Sequence, residues 1–396
     1  MPVNGSLNHE RLIFLAMKNI IVIIVWLFLF SLACQPTKQE ENVAKRNKEA
    51  REDSLEMVET YKYQAKITNS VVPDVETVPV SAGAMDDAAD DPAFWFNVGT
   101  PDSSLVFGSN KKGGVYAYYL SGAENGYYPV GKINNIDIRQ SVIYGNDTLD
   151  ILSGSNRTDN SIIVYAIDKK GNLSQMLENQ LVDPAIISEV YGYCMYKNPQ
   201  GEAFFIVNGK NGFVQAYSLE DLELKPWRSW KVDTQPEGMV ADDQLGFLYV
   251  GEEEKGIWKI DLKDENAVPQ LIEASSSAVN KDIRFDIEGL SIYYGEGDSG
   301  FLLASSQGSF SYAIFDRVNN HYIGSFTIKG NDVIDGVEET DGLDIYSWPV
   351  GDAFPNGLAM VQDGFNYNGD ELKSQNFKLI DLGKVLELYM QSSTEK

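Results

Sequence analysis

A hairpin-like unit recurs six times along this chain and limits the folds open to it. In each copy an apolar run ends in a short polar turn, usually with glycine, and a second strand rich in Tyr or Trp follows. The copies return roughly every 50 residues, and each is too small to bury its own apolar face, which is typical of a propeller or a solenoid. Six units predict an all-β fold, a six-bladed β-propeller. The copies begin at Leu105, Ile151, Phe205, Leu248, Leu302 and Leu358.

Residues 1–33 are similar to an export signal. The apolar run at 20–33 follows Lys18 and is too short to predict a membrane span. It ends in SLAC at 31–34, similar to a bacterial lipoprotein signal in which Cys34 becomes the lipidated first residue. Plain cleavage and an uncleaved anchor are the alternatives, and Met17 is an alternative start. We expect an exported, membrane-anchored lipoprotein at the periplasmic or outer cell surface.

Two further regions follow this leader. Residues 34–75 mix charges of both signs with few apolar residues, which is typical of a polar tether. Their charges nearly cancel, so the formal net charge of −26 lies almost wholly in residues 76–396, of which 76–390 form the predicted propeller. This acidity opposes nucleic-acid binding. Cys194 lies in an apolar run and is expected in the core, so lipidation of Cys34 would leave no intramolecular disulfide.

A mostly acidic cluster precedes a short apolar strand in most blades. In a propeller the first strand of each blade lies innermost, so matching ends of these strands surround one opening of the central channel. Like charges ~4 Å apart repel by about 4 kcal/mol at an effective dielectric near 20, so the ring requires protons or cations. Carboxylate oxygens suit Ca²⁺, whereas a single His after residue 34 and no Cys pair disfavour zinc. The acids are Asp90, Asp91, Asp137, Glu237, Glu288 and Asp341.

The turns beside this ring divide by charge. A half-basic, half-acidic rim suits a multiply phosphorylated ligand, because phosphates pair with the cations while Ca²⁺ links other phosphate oxygens to the acids. A purely structural role stays open for each single acid, since Asp is frequent in tight turns. Blades one to three carry Lys111, Lys112, Arg157 and Lys210, and blades four to six carry Glu252, Glu253, Gln307 and Asp363.

These residues lie in segments that resemble the β-propeller phytases, calcium-dependent hydrolases of myo-inositol hexakisphosphate (phytate). The similarity covers roughly residues 74–378 and includes DAADDPAFW at 87–95, NNIDIR at 134–139, TQPEGMVADD at 234–243 and DIEGLSIYY at 286–294. The resemblance implies phosphate contacts from Lys111, Arg157, Tyr191 and Lys210, and further substrate contacts from Lys112 and Asn156. It implies active-centre calcium ligands Asp90, Glu237, Glu253, Glu288 and Asp335, and other calcium sites with Asp91, Asp341 and Asp363.

Two segments depart from the family pattern. Around Asp335 the neighbouring residues differ, so Glu338 and Glu339 are alternative ligands, and Phe365 stands where the family usually has Glu. The resemblance still implies a monomeric phytase acting on phytate or calcium-phytate through metal-activated water, with a lipid anchor as its only membrane contact. Two alternatives are a non-catalytic calcium-binding propeller and another propeller hydrolase, such as a lactonase or a phosphodiesterase.

Overall fold

The computed structural model describes residues 55–394, with side chains described to residue 390. The predicted leader, Cys34 and the first part of the tether lie outside these residues. The chain divides into two compact units, Met1–Glu59 and Thr60–Lys396, and the second contains the propeller. Within the described residues no helix has both the length and the apolarity needed to cross a membrane.

Six small, mainly antiparallel sheets confirm the predicted six-bladed β-propeller. Helix α1 covers residues 55–64, and α2 covers Leu382–Thr394. The strands of the first half are β1 (Ser70–Val71), β2 (Val75–Glu76), β3 (Ala89–Trp95), β4 (Leu105–Asn110), β5 (Gly114–Tyr119), β6 (Glu124–Tyr128), β7 (Ile133–Tyr144), β8 (Asp147–Asn156), β9 (Ser161–Ile167), β10 (Leu173–Gln175), β11 (Gln180–Leu181), β12 (Val190–Lys197), β13 (Ala203–Gly209), β14 (Phe213–Glu220) and β15 (Glu223–Lys231). Those of the second half are β16 (Pro236–Asp242), β17 (Phe247–Glu252), β18 (Gly256–Asp261), β19 (Gln270–Leu271), β20 (Leu290–Tyr294), β21 (Gly300–Ser306), β22 (Ser311–Asp316), β23 (Tyr322–Ile328), β24 (Leu343–Tyr346), β25 (Leu358–Asp363), β26 (Tyr367–Asn368), β27 (Glu371–Leu372) and β28 (Asn376–Asp381).

The first strand of every blade lines the channel. The sheets run outward as β3–β6, β7–β10, β12–β15, β16–β19, β20–β23 and β24–β25–β28–β2. Each inner strand contacts the inner strand of the next blade, and β24 contacts β3, which closes the ring. A narrow cavity of about 40 Å³ inside the ring is lined by residues of all six inner strands.

The N-terminal segment completes the last two blades. Val75 pairs with Leu379 and Glu76 with Lys378, so β2 is the outermost strand of the sixth blade. Strand β1 adds in parallel to the fifth blade, where Ser70 pairs with Thr327. Part of the predicted tether therefore belongs to the sheets, because its short strands pair with edges that the repeats leave open.

The apolar core lies between neighbouring blades. One cluster joins Cys194 and Ile206 of the third blade to Met239 and Leu248 of the fourth. Cys194 is 1% exposed, which confirms its predicted place in the core.

A β-bulge interrupts four of the six inner strands at the same position. The register shifts between Ala89 and Pro92 in β3, and at the matching places in β7, β12 and β16. In three of these strands a polar side chain of the second strand accepts a hydrogen bond from the backbone N–H at the bulge, and the pairs are Asp91–Ser109, Asn135–Ser155 and Gly192–Asn208. The fifth blade has the same bond, from Gly289 to Ser305, without a bulge. The bulge turns the residue before it toward the channel opening.

A glycine follows the opening residue in four consecutive blades, and close packing of the inner strands requires it. A Cβ on Gly192 would lie 1.8 Å from the carbonyl oxygen of Glu237, and one on Gly238 would lie 1.9 Å from that of Glu288. A Cβ on Gly289 or Gly342 would collide in the same way with the next inner strand. Adjacent blades therefore meet backbone to backbone at the level of the predicted site.

We expect Gly238→Ala to destabilise the propeller. Overpacking a filled site typically costs up to about 3 kcal/mol, and here the obstacle is a backbone carbonyl. The measurement is the free energy of unfolding in denaturant, with Gly126→Ala as control because a Cβ there has no atom within 4 Å. Equal stability of the two variants would contradict the packing described.

Candidate active site

Three glutamates converge at one opening of the channel. Glu237 lies in β16, Glu288 stands just before β20, and Glu253 follows β17. Each offers a carboxylate oxygen within 4.8 Å of the other two. Within residues 55–390 no other such group of His, Cys, Asp or Glu side chains comes together.

The environment of these glutamates fits a hard cation. Burial raises the pKa of Glu253 to about 7, and the charge of Glu237 adds to the shift. Burial and Glu237 also raise the pKa of Glu288 well above its ordinary value. Among the described residues, the buried Oε2 of Glu288 has no hydrogen-bond partner. Oxygen donors that burial makes costly to ionise alone fit a divalent cation such as calcium.

Lys111 lies at the same opening, where the first and sixth blades meet. Its Nζ is 2.9 Å from Oδ1 of Asp90, 2.9 Å from Oδ1 of Asp87 and 3.2 Å from Oδ2 of Asp341. Burial opposes the ammonium charge, but Asp341 and Asp90 outweigh it and raise the pKa of Lys111 well above its usual range. Burial raises the pKa of Asp341 to about 6 even beside this lysine. The resemblance implied separate calcium sites for Asp90 and Asp341, whereas both contact Lys111.

Two more cations of the basic turns, Arg157 and Lys210, share one acid. Arg157 Nη2 lies 2.6 Å from Oε1 of Glu189, and Lys210 Nζ lies 3.9 Å from the same oxygen. The ammonium of Lys210 is 4.5 Å from the centroid of the Tyr191 ring, whose negative face attracts it. Burial, together with Glu237 as hydrogen-bond partner, raises the pKa of Tyr191 far above its usual range. The tyrosine therefore stays protonated and donates to Glu237.

Asn134 joins the basic turns to the glutamates, and sequence analysis missed it. Its Nδ2 donates to Oε1 of Glu237 at 2.8 Å, and its Oδ1 accepts from Nη1 of Arg157 at 3.3 Å. We expected Asp137 at this opening, but it lies deeper in the channel, 2.6 Å from Nη1 of Arg139. The bulge shifts the register, and aligning the bulges would have identified Asn134 as the counterpart of Glu237.

The two residues predicted to make additional substrate contacts differ in their exposure. Lys112 is exposed at its turn and open to a ligand. Asn156 is 1% exposed, and its amide donates to the Val130 carbonyl before β7 at 3.2 Å and accepts from the Thr158 N–H of its own turn at 3.0 Å. Asn156 therefore helps to shape the turn that carries Arg157. Its contact with substrate stays a prediction.

Asp91 lies where the first blade meets both neighbours. Its Oδ2 accepts a hydrogen bond from the Ile136 N–H at 3.1 Å, and a Cβ on Gly342 would lie 2.3 Å from its Oδ1. Burial and the adjacent Asp90 raise the pKa of Asp91 well above its ordinary value. The calcium-binding role of Asp91 stays a prediction.

A second group of acids surrounds a buried lysine in the sixth blade. The side chain of Lys378 is 0% exposed, and its Nζ lies 2.6 Å from Oε2 of Glu76, 3.2 Å from Oδ2 of Asp363 and against Oδ1 of Asp335. Burial raises the pKa of Asp363 to about 7 even with this partner. We expected Asp335 and Asp363 among the calcium ligands. Both have an internal cation as partner, and neither joins the three glutamates.

The last turn also departs from the predicted charge pattern. The backbone N–H of Gly364 donates to a carbonyl of the segment before the inner strand of its blade, as those of Lys111 and Arg157 do. Gly364 therefore holds the turn position in the sixth blade that these cations hold in theirs. Asp363 belongs to the strand before the turn. Glu252, one strand position before Glu253, is also buried and accepts a hydrogen bond from Trp258 Nε1 at 2.6 Å. The acidic side of the opening therefore comes mainly from Glu253 and the inner-strand acids.

Comparisons with known proteins agree with this arrangement. A family model described as Phytase matches residues 51–393. The 3-phytase of Bacillus subtilis (strain 168) is 37% identical over 339 residues, which cover 81% of this chain and 87% of that protein. Among solved structures, a luciferin-regenerating enzyme is 12% identical and superposes with a TM-score of 0.51 over 78% of this chain and 96% of its own. This last likeness shows the fold alone.

Fold and site together define a six-bladed β-propeller with acids and cations at one channel opening. The family match over most of the sequence, with 37% identity to a 3-phytase, shows that the chain belongs to the phytase family. The expectation of a phytase is confirmed.

We expect Glu253→Gln to stabilise the protein in the presence of a chelator. The pKa of Glu253 is about 7 in the folded state and ordinarily 4.5, so between these values the folded state binds this proton more strongly than the unfolded state does. The stability of the metal-free protein therefore falls as the pH rises through this range. The variant escapes this loss, so its melting temperature should exceed that of the wild type above pH 7 and match it near pH 4.5.

Calcium should reverse the order, because the variant lacks a charged ligand. Glu254→Gln, which changes the exposed neighbour, is the matched control and should behave as the wild type under both conditions. A variant that melts below the wild type in chelator above pH 7 would contradict the electrostatic account.

Proposed function

We propose that this phytase hydrolyses phytate to lower inositol phosphates and phosphate, and that the reaction depends on calcium. One observation carries the proposal: cations and clustered glutamates lie side by side at a single opening. Tyr191 contacts Lys210 through its ring and Glu237 through its hydroxyl. A phosphate bound beside Tyr191 would therefore meet both sets of groups.

Lys111, Arg157 and Lys210 would bind the oxygens of the phosphate that is cleaved. Glu189, the present partner of Arg157 and Lys210, has a side chain 45% exposed, so an incoming phosphate can displace it at small cost. Charge-assisted hydrogen bonds then replace that ion pair. Because these cations are already held in position, they stabilise the negative charge of the transition state without reorganisation.

Glu237, Glu253 and Glu288, with Asp90 nearby, would hold calcium. A calcium ion bound there would supply Lewis-acid chemistry and lower the pKa of a bound water. The protein orients these carboxylates through neighbouring amides. Gln235 donates to Oε1 of Glu253 at 2.6 Å, as Asn134 does to Glu237, and such partners fix the direction of a ligand oxygen.

We also propose that the protein acts outside the cytoplasm as a lipid-anchored monomer on phytate or calcium-phytate. The support is the SLAC sequence at 31–34 after an apolar run and the polar stretch that follows. Mass spectrometry of the mature N-terminus tests the anchor. A diacylated Cys34 is expected, and an unmodified N-terminus would refute it.

Phosphate release from phytate by the purified full chain tests the enzymatic proposal. We expect release with calcium, loss of release after chelation, and recovery when calcium is restored. Lys210→Ala should lower release about 100-fold or more, as removal of a preorganised transition-state donor does. It should leave the calcium-induced rise in melting temperature intact, because the three glutamates remain.

The control is Lys170→Ala, which removes an exposed lysine of the second blade and should act as the wild type. Calcium binding without phosphate release would favour a non-catalytic propeller. Full activity of Lys210→Ala on a lactone or phosphodiester, with none of the wild type on phytate, would favour another hydrolase.

A further inference from the structure

A cavity of about 250 Å³ on the fifth blade is lined by three cations that the proposed reaction does not use. They are Lys66 from the N-terminal segment, and Lys281 and Arg284 from the loop before β20. The one acid in its lining is Asp282. A local excess of positive charge stands out in a chain with a formal net charge of −26. The cavity therefore favours an anion.

Two of the three cations contact one aromatic ring. The guanidinium carbon of Arg284 lies 3.7 Å from the centroid of the Tyr63 ring, and Lys66 Nζ lies 4.2 Å from the same centroid. Tyr63 thus helps to fix the position of both cations at the cavity. An anion bound in the cavity would lower the repulsion among its cations.

No carboxylate neutralises these cations within the described residues. Lys281 Nζ donates to the carbonyls of Ser277 and Ala278, which carry no net charge. Arg284 Nη1 donates to the Ile283 carbonyl at 3.2 Å, and its buried Nε has no hydrogen-bond partner there. A buried guanidinium N–H without a protein acceptor leaves a donor that a water or an anion can satisfy.

One turn of the fifth blade connects the cavity with the candidate active site. The turn Gln307–Ser309 borders both, because Gln307 Nε2 donates to Oδ1 of Asp341 at 2.8 Å and Ser309 lines the cavity. Ser309, Tyr322 and Ser325 also line the cavity, and the hydroxyls of Tyr322 and Ser325 bond to each other at 2.8 Å. Hydroxyls next to lysine and arginine suit a tetrahedral oxyanion of charge near −2.

We propose that this cavity is a second phosphate-binding site, separate from the candidate active site. Its ligand is a phosphate group, either free inorganic phosphate or a phosphate monoester of an inositol. Binding there needs no calcium, since the lining carries its own positive charge. The inference therefore stands or fails independently of the proposed calcium-dependent hydrolysis.

Isothermal titration of the full chain with inorganic phosphate tests the proposal. The buffer contains a chelator, so the clustered glutamates repel phosphate while the cavity keeps its charge. We expect saturable binding by the wild type and a loss of affinity of about tenfold or more in Arg284→Ala. Lys281→Ala, at an exposed position, should weaken binding in the same direction, and Lys170→Ala should leave it unchanged.

Parallel titrations with phytate and with myo-inositol identify the source of the phosphate. Binding of phytate alone, lost in Arg284→Ala, assigns the site to an ester, and similar affinity for both phosphates assigns it to the free anion. Myo-inositol should not bind. Melting temperatures establish that each variant is folded, and Lys281→Ala serves if Arg284→Ala is not.

The proposal is overturned if neither phosphate compound binds in chelator. It is also overturned if the folded variants bind as tightly as the wild type.

Discussion

The close approach of neighbouring inner strands is the constraint on which the rest of this structure depends. Where a Cβ on Gly192 or Gly238 would strike the next blade's carbonyl, the strands meet without side chains between them. The residue before each glycine then has one direction left, toward the opening. Glu237 and Glu288 are brought together by backbone packing, and burial together with the repulsion between them raises the pKa of Glu288. The fold thus holds charges in a grouping that they would not adopt alone.

Three groups of acids lie close together in this structure, and only two of them surround a lysine. Lys111 lies among Asp87, Asp90 and Asp341, and Lys378 among Glu76, Asp335 and Asp363, so each lysine has three carboxylates. Glu237, Glu253 and Glu288 form no ion pair with any lysine or arginine in the described region. The protein neutralises the first two groups in part from its own sequence. The third group has no such internal partner among the described residues, which supports its proposed role as the metal site.

The hairpin repeat and the family segments predicted the fold, the ring of acids and the basic turns, because these depend on residue type at regular spacing. Errors arose where a shift of one or two residues in strand register decides which way a side chain points. Asp137 and Asn134 are close in sequence, yet the bulge in β7 sends the first into the channel and the second to the opening. Asp363 was assigned to a turn that begins one residue later. Sequence analysis did not identify Lys378 as an ion-pair partner, because the acids around it come from three separate segments of the chain.

The outermost strand of the sixth blade has a consequence for how this chain is made. Glu76 and Lys378 are separated by 302 residues, yet they pair in one sheet and share one ion pair. During synthesis the first five hairpins can form in turn, while β2 waits without a partner until the C-terminal strand emerges. Joining ends so far apart is entropically costly and comes late. A chain interrupted between β25 and β28 therefore lacks the edge with which β2 pairs, and its sixth blade stays incomplete.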